Sequence, residues 1–112
     1  MDFYFNIGGF LSKYDTIKIK SGEVWHRCAF GDSQNDNGFE KLPVSPEQLA
    51  DFWEKLEQVG IDEWDDEYID TMICDGTQWK LKVKCREIYG DNAYPPNWDE
   101  FFELVRPWFR ER

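Results

Sequence analysis

The chain has few of the residues that most enzyme and metal sites need. Its 112 residues include one histidine, His26, and three cysteines, Cys28, Cys74 and Cys85. The motifs G-x-S-x-G, H-E-x-x-H, G-x-x-x-x-G-K and G-x-G-x-x-G do not occur. These motifs are the usual signatures of serine hydrolases, zinc proteases and nucleotide-binding loops, so the chain lacks those signatures. No motif therefore points to a particular catalytic residue, metal or cofactor.

Long apolar runs and positive charge are also scarce. No stretch approaches the roughly 20 apolar residues of a transmembrane helix, and the opening MDFYFN lacks the basic and apolar regions of a signal peptide. The chain has 23 acidic residues against 13 basic ones, a formal charge of −10. This charge disfavours binding to nucleic acid and to anionic membranes. A basic protein or a cation is the partner that the charge favours.

The number of cysteines bears on the compartment of the protein. Three is an odd number, which fits a reducing cytoplasm better than a framework of disulfides. We therefore predict a cytoplasmic protein.

Aromatic residues, by contrast, are abundant. They make up 18% of the chain, well above the content of a disordered segment. A chain of this length buries roughly two-thirds of its unfolded surface. We expect a single domain over residues 1–112, with a real core beneath a charged surface.

Several stretches alternate between apolar and polar residues, as half-buried strands do. In the strongest, residues 79–85, three lysines alternate with Trp79, Leu81, Val83 and Cys85. Ser21-Gly22 separates two further strands as a hairpin turn. Beyond Cys85 the alternation slips, which indicates either a bulge or a tight turn around residues 84–87. The strand candidates are residues 3–7, 16–20, 23–30 and 79–85, with the brief apolar run 71–74 as a possible fifth.

Two helices have clear boundary signals. Ser45-Pro46 with Gln48 forms a helix start, and Gly60 suits the position after Val59. Asn97 with Glu100 resembles a second capping box, and Pro107 should end that helix near Val105. The predicted fold is therefore α+β, with an antiparallel sheet of four or five strands. Two main helices, Ser45–Val59 and Asn97–Arg106, pack on one of its faces.

Two strings in the C-terminal half carry a family resemblance. DGTQW at 75–79 and GDNAYPPNW at 90–98 resemble a group of small, mostly uncharacterised bacterial proteins with a DG-x-x-W strand, a G-x-NAYP turn and a closing helix. The similarity extends back through Gly8-Gly9-Phe10, the helix from Ser45, and Trp64 with Tyr68. The resemblance implies a common fold unit and assigns no catalytic residue.

The segment from Asp62 to Asp70 is the most acidic part of the chain. Trp64 and Tyr68 are four residues apart within it, which predicts a short helix that both rings pin to the body while the acids point outward. Such a segment is either a solvated face around two anchors, or a surface that steers a basic partner or loosely holds a divalent cation. The predicted partner-binding residues are Trp64, Asp65, Asp66, Glu67 and Tyr68.

The predicted function is a non-enzymatic protein-binding module that uses this acidic, aromatic-containing surface. One concrete version is an immunity-like protein that neutralises a basic toxin or nuclease. The alternative is a small enzyme or metal-binding protein centred on His26 and the cysteines, although zinc sites normally include a close C-x₂₋₄-C pair that is missing here. The alternative requires a pocket around His26, whereas the binding module requires an exposed acidic patch that contains apolar residues.

Overall fold

A computed structural model describes residues 2–9, 13–30, 38–70, 72 and 76–109 of the chain. The described residues form one seven-stranded sheet and two α-helices. The strands are β1 Phe3–Gly9, β2 Lys13–Lys20, β3 Glu23–Phe30, β4 Glu40–Lys41, β5 Glu67–Ile69, β6 Thr77–Val83 and β7 Arg86–Asp91, and the helices are α1 Pro46–Val59 and α2 Trp98–Val105.

The sheet is mixed, in the order β4-β3-β2-β1-β6-β7-β5. All neighbouring strands are antiparallel except β5 and β7, which run parallel. The α+β class with two helices is confirmed. The prediction of four or five antiparallel strands is partly wrong, because the sheet has seven strands and β5 pairs with β7 in parallel. Strands β4 and β5 span only two and three residues, which is too short to show a period in the sequence.

Both helices pack against the same face of the sheet. The ring of Phe3 in β1 lies 5.3 Å from that of Phe52 in α1, and Phe5 lies 5.0 Å from Phe101 in α2. Strand register brings apolar residues of β2 and β6 beside Phe3 and Phe5 on this face. The core therefore lies between the sheet and the helices. The most buried aliphatic side chains of the strands are Ile17, Ile19, Val24, Leu81, Val83 and Ile88.

The boundaries of both helices lie within one residue of those predicted, but the capping of α2 differs. Ser45 and Gln48 form a complete capping box, and Gly60 adopts a left-handed conformation with φ 87°. Asn97 is also left-handed, at φ 64°, and its side chain does not cap α2. An N-cap needs extended backbone to aim its side chain at the first free N–H groups. The Asn97 amide instead donates to the carbonyl oxygen of Val59, 3.0 Å away, and so joins the two helices.

Lys84 and Cys85 form a tight two-residue turn between β6 and β7. Both residues have positive φ, 55° and 62°, and Val83 pairs directly with Arg86 across the turn. Paired positive φ values are typical of the turns whose twist matches a hairpin. The slip in alternation after Cys85 is therefore a turn and not a bulge.

The predicted short helix around Trp64 and Tyr68 is wrong. A 3₁₀ turn spans Ile61–Glu63, Trp64 is extended at φ −76° and ψ 146°, and β5 follows. Like charges three and four residues apart disfavour a helix in this acidic segment. Pairing with β7 offers the backbone an alternative, because Tyr89 N–H donates to Asp66 O and Asp70 N–H donates to Asp91 O, both at 2.9 Å.

The possible fifth strand, residues 71–74, lies mostly outside the described residues. Only Met72 of this stretch is described, and it is in a turn and not in a strand. Cys74 lies outside the described residues.

Among the described residues, no helix combines the length and apolar character needed to cross a membrane.

Candidate protein-binding edge

The site is built from residues of the two C-terminal motifs, which contact each other directly. Asn92 forms two hydrogen bonds with the backbone of Thr77: its N–H donates to Thr77 O, and its Oδ1 accepts from Thr77 N–H, both at 2.8 Å. A Cβ atom added to Gly76 would lie 1.9 Å from Asn92 Oδ1. The glycine of DG-x-x-W is therefore required by the close approach of the asparagine of G-x-NAYP.

Trp79 makes the second contact between the motifs. Its indole lies on Gly90, where an added Cβ would be 1.9 Å from Trp79 Nε1, and this Nε1 donates to Ala93 O at 3.0 Å. The side chain is 1% exposed, so its predicted place in the core is confirmed. The residues that carry the family resemblance thus form one packing unit.

This packing unit positions β5 at the edge of the sheet. Tyr68 stacks on Trp79 with ring centroids 6.3 Å apart and planes at 26°. Its hydroxyl accepts a hydrogen bond from the Asp65 N–H at 2.8 Å. Ile69 of β5 pairs with Asp91 of the neighbouring strand β7 and also forms an isolated bridge with Asn92. The second motif therefore supplies the last two residues of β7, Gly90 and Asp91, which pair with Tyr68 and Ile69.

Arg86 fixes the segment that leads into β5. Its guanidinium donates to Ile61 O at 3.0 Å and to Trp64 O at 2.6 Å. It also pairs with the Asp66 carboxylate at 2.8 Å. Asp66 is nevertheless 77% exposed at its side chain, so one side of this carboxylate faces solvent.

Exposed apolar side chains lie in and just after the same strand. Among the described residues, three large hydrophobic side chains are exposed: Ile69 at 50%, Met72 at 88% and Tyr94 at 43%. Ile69 lies within the acidic segment and Met72 two residues beyond it, whereas the Tyr94 ring lies 5.0 Å from that of Trp98. We use the term acidic edge for residues 65–70 with Met72. Grouped exposed apolar residues mark interaction sites.

The five predicted partner-binding residues have different positions. Asp65, Asp66 and Glu67 are exposed, whereas Tyr68 is half-buried. Trp64 is 3% exposed and packs in the core against Trp79, Trp98 and Phe101. A partner cannot reach this ring, so Trp64 supports the surface from below and is not part of it.

Sequence reasoning missed Ile69, Met72 and the anchoring residue Arg86. Ile69 interrupts the run of acids between Glu67 and Asp70, and Met72 follows that run two residues later. An apolar side chain in such a run was the available signal. The pairing of Arg86 with Asp66 joins residues 20 positions apart, and nothing local in the sequence indicates it.

The alternative site around His26 is in the core. His26 is 3% exposed and Asp15 is 5% exposed, and His26 Nε2 lies 2.9 Å from Asp15 Oδ1. The Phe109 ring lies 6.2 Å from the imidazole. A buried histidine paired with a carboxylate in this way is a structural element of the core unless a substrate has a path to it.

Cys28 and Cys85, the two cysteines among the described residues, do not join His26 in a metal site. Cys28 is level with Trp79 across the sheet, whereas Cys85 lies in the turn beyond Val83. Over the described ranges, which leave out Cys74, no group of three His, Cys, Asp or Glu side chains is placed to hold a metal ion.

Comparisons with protein-family models, with curated proteins and with solved structures find no match for this chain.

Proposed function

We propose that this protein is a non-enzymatic binding module of the cytoplasm that holds a basic protein at its acidic edge. The observation that carries the proposal is the position of the exposed apolar residues. Ile69 and Met72, which are 50% and 88% exposed, lie within the acidic edge. An apolar contact gives affinity, and the surrounding carboxylates select the charge of the partner and speed its approach.

The way in which the edge is anchored also supports binding. The stacking of Tyr68 on Trp79 and the three hydrogen bonds of Arg86 hold the segment in place before a partner arrives. A surface that is already ordered loses less conformational entropy on association. The acidic edge is therefore suited to a specific partner rather than to diffuse counterion binding.

The net charge of −10 narrows the class of partner. A basic protein, such as a toxin or nuclease that this chain would neutralise, fits both the sign of the charge and the small size of the module. Nucleic acid and anionic membranes carry the same sign as the protein and are disfavoured.

The test is a pull-down from native lysate at low and at moderate salt, with the bound proteins identified by mass spectrometry. Three baits are compared: the wild type, the edge variant Asp65→Asn with Glu67→Gln, and the control variant Glu47→Gln with Glu54→Gln. Both variants remove two exposed carboxylates. Net charge is therefore the same in the two, and only the position differs.

We expect a basic protein that the wild type and the control capture at low salt, that moderate salt releases, and that the edge variant fails to capture. Screening shortens the range of exposed charges to about 8–10 Å at physiological salt, which explains the release. Equal capture by both variants would place binding elsewhere on the surface. Capture of no basic protein by the wild type would remove the support for this function.

A further inference from the structure

The outer side of β5 carries backbone groups that point away from the sheet. Among the strands that the structure describes, β5 is the last of the sheet order, so only one of its sides pairs with a neighbouring strand. On that side Asp66 O accepts from Tyr89 N–H and Asp70 N–H donates to Asp91 O. Backbone groups of successive residues alternate between the two sides of a strand. The N–H and C=O groups of Glu67 and Ile69 therefore point away from β7.

Such a row of backbone groups is a template for an additional strand. The side chains of Glu67 and Ile69 alternate with that of Tyr68, which faces Trp79 on the helix side. Glu67 and Ile69 thus lie on the face of the sheet opposite the helices. A strand added beside them would place its own side chains next to one carboxylate and one half-exposed isoleucine, the two kinds of cross-strand neighbour that stabilise a cation and an apolar residue.

We infer that the partner binds by adding an extended segment, with a basic and an apolar residue two positions apart on one face, as a strand along β5. This inference rests on the proposed function and specifies how the partner is held. Main-chain hydrogen bonds to Glu67 and Ile69 give affinity, and the side chains at alternate positions give specificity, as in other complexes formed by strand addition.

The charge of the edge decides between possible occupants. A second copy of this chain would bring Glu67 and its acidic neighbours against their equivalents, and like charges on paired strands destabilise the pairing. The other edge strand, β4, has exposed residues of both signs, Glu40 and Lys41. The described part of the chain shows no exposed large apolar side chain beside β4. The negative charge of the acidic edge therefore favours a basic segment. The exposed Ile69 beside that charge favours β5 over β4 as the strand to which the segment binds.

The inference is tested with defined peptides and the full-length, isotope-labelled protein. The probe is a seven-residue peptide with blocked ends, in which lysine and valine take turns at every second position and threonine fills the positions between them. Its controls are the same peptide N-methylated at alternate residues and the corresponding glutamate–valine peptide. Amide chemical shifts are followed by NMR during each titration, and hydrogen exchange is measured with the first peptide bound.

We expect the lysine–valine peptide to shift the amide signals of Glu67 and Ile69 and to slow their exchange with solvent. N-methylation on the pairing side should weaken binding at least about tenfold, since it removes main-chain hydrogen bonds and each 1.4 kcal/mol is a factor of ten. The glutamate–valine peptide should not bind. Equal binding of the methylated peptide, or no binding of the first peptide, would overturn strand addition.

A backbone variant gives an independent test on the protein itself. Proline at an edge position is tolerated when the lost N–H faces solvent, so Ile69→Pro removes one outward donor and leaves the pairing with β7 in place. Ile69→Ala, which shortens the side chain and keeps the N–H, is the matched control. We expect Ile69→Pro to bind the peptide at least about fivefold more weakly than Ile69→Ala, and equal affinities would contradict the inference.

The two proposals fail in different ways. If the captured basic protein needs the carboxylates of Asp65 and Glu67 but binds Ile69→Pro and Ile69→Ala equally, the binding function stands and strand addition is wrong. If capture does not depend on the carboxylates, the proposed function itself is wrong. Should Ile69→Pro fail to fold, the N-methylated peptide decides the question with the wild-type protein.

Discussion

Trp79 and Trp64 are buried in the same aromatic cluster, but their indole N–H groups differ. Trp79 Nε1 donates to Ala93 O at 3.0 Å, whereas Trp64 Nε1 has no hydrogen-bond partner among the described residues. Leaving a buried polar group unpaired costs about 1–3 kcal/mol. The two residues therefore offer a matched pair, in which substitution by phenylalanine removes the same atoms from two different hydrogen-bonding situations.

We expect Trp79→Phe to destabilise the protein by about 1–2 kcal/mol more than Trp64→Phe. Both changes lose similar apolar volume, but Trp79→Phe also breaks a hydrogen bond and leaves Ala93 O without its donor, while Trp64→Phe removes an unpaired donor. The free energy of unfolding from urea denaturation measures the difference. Equal values would show that the Trp64 N–H is as well satisfied as that of Trp79.

Two glycines, Gly90 and Gly60, are required for different reasons. At Gly90 there is no space for a side chain, and at Gly60 the backbone has a positive φ. Gly90 lies under the indole of Trp79, and an alanine Cβ there would meet ring atoms at 1.9 and 2.0 Å. Gly60 has positive φ but open space around the added atom. We expect Gly60→Ala to cost about 1 kcal/mol. Gly90→Ala should cost about 3 kcal/mol or more, because the buried indole has to move.

Thermal and urea unfolding of the two alanine variants checks this prediction. The order of the two losses is the informative result. A Gly90→Ala variant as stable as Gly60→Ala would mean that Trp79 can move away from Gly90 at little cost.

Some residue-scale features could be predicted from the sequence, and others depended on distant contacts. Ser45 and Gly60 were predicted correctly because a capping box and a left-handed C-terminal residue are determined within one turn of helix. Asn97 has the same kind of local pattern, yet its backbone is left-handed and its amide bonds to Val59 O. Val59 is 38 residues away from Asn97, so no local sequence pattern indicates this hydrogen bond.

At the scale of elements, the acidic edge shows what charge on an exposed segment contributes. We expect Asp65→Asn with Asp66→Asn to change the free energy of unfolding by less than about 1 kcal/mol, since exposed ion pairs contribute little. Arg86 keeps its bonds to the carbonyl groups of Ile61 and Trp64 in this variant. Urea denaturation measures the change, with Arg86→Ala as the contrasting variant that loses those bonds and should be clearly less stable.

An unfolded or strongly destabilised double variant would contradict this account. It would mean that the carboxylates of Asp65 and Asp66 hold the segment in place, rather than lying on a surface that Arg86 and Tyr68 already anchor.

Lys84 links the β6–β7 turn to two other elements and gives a pH-dependent term. Its ammonium group contacts the carboxylates of Glu57 in α1 and, at 3.5 Å, of Asp62. The hydrogen bond to Glu57, and then the negative charge of Asp62, raise the pKa of Lys84 above its ordinary value. A raised folded-state pKa stabilises the protein below the unfolded pKa of about 10.4, and this contribution disappears as pH rises through the folded value.

We therefore expect the stability difference between wild type and Lys84→Met to be constant from about pH 8 to pH 10 and to shrink at higher pH. Urea denaturation at a series of alkaline pH values gives both curves. A difference that stays the same across the whole range would show that the Lys84 charge contributes nothing, and that only its side-chain packing matters.

Elements of different length were predictable to different degrees. Helix α1 and strand β6 have enough residues to show a period, and both were predicted. Strand β5 has three residues in a segment whose Trp64 and Tyr68 spacing imitates a helical face. What makes it a strand is the free side of β7, a tertiary partner that the local pattern does not contain.

At the scale of the whole molecule, the alternation of side chains determines which face of a strand is buried but not which strand lies beside it. The sequence predicted a strand at residues 3–7, yet β6, which pairs with it, lies far along the chain. The candidate site, like the neighbours of β1, could be predicted only in part from the sequence. Composition indicated an acidic protein with a basic partner, and the site became specific only when the fold left Ile69 and Met72 exposed among the carboxylates of the acidic edge.

The central position of β1 has a consequence for the newborn chain on the ribosome. β1, β2 and β3 emerge first and can already form a meander, but the outer side of β1 stays unpaired until β6 has been synthesised. The unpaired edge belongs to a strand of seven residues that carries the apolar side chains of Phe3 and Phe5. Such an edge can pair with the same strand of another nascent chain. Completing the sheet requires a contact between distant parts of the sequence, which is slow for such topologies. Misassembly of this protein should therefore begin at β1, during the interval in which its C-terminal half is still being made.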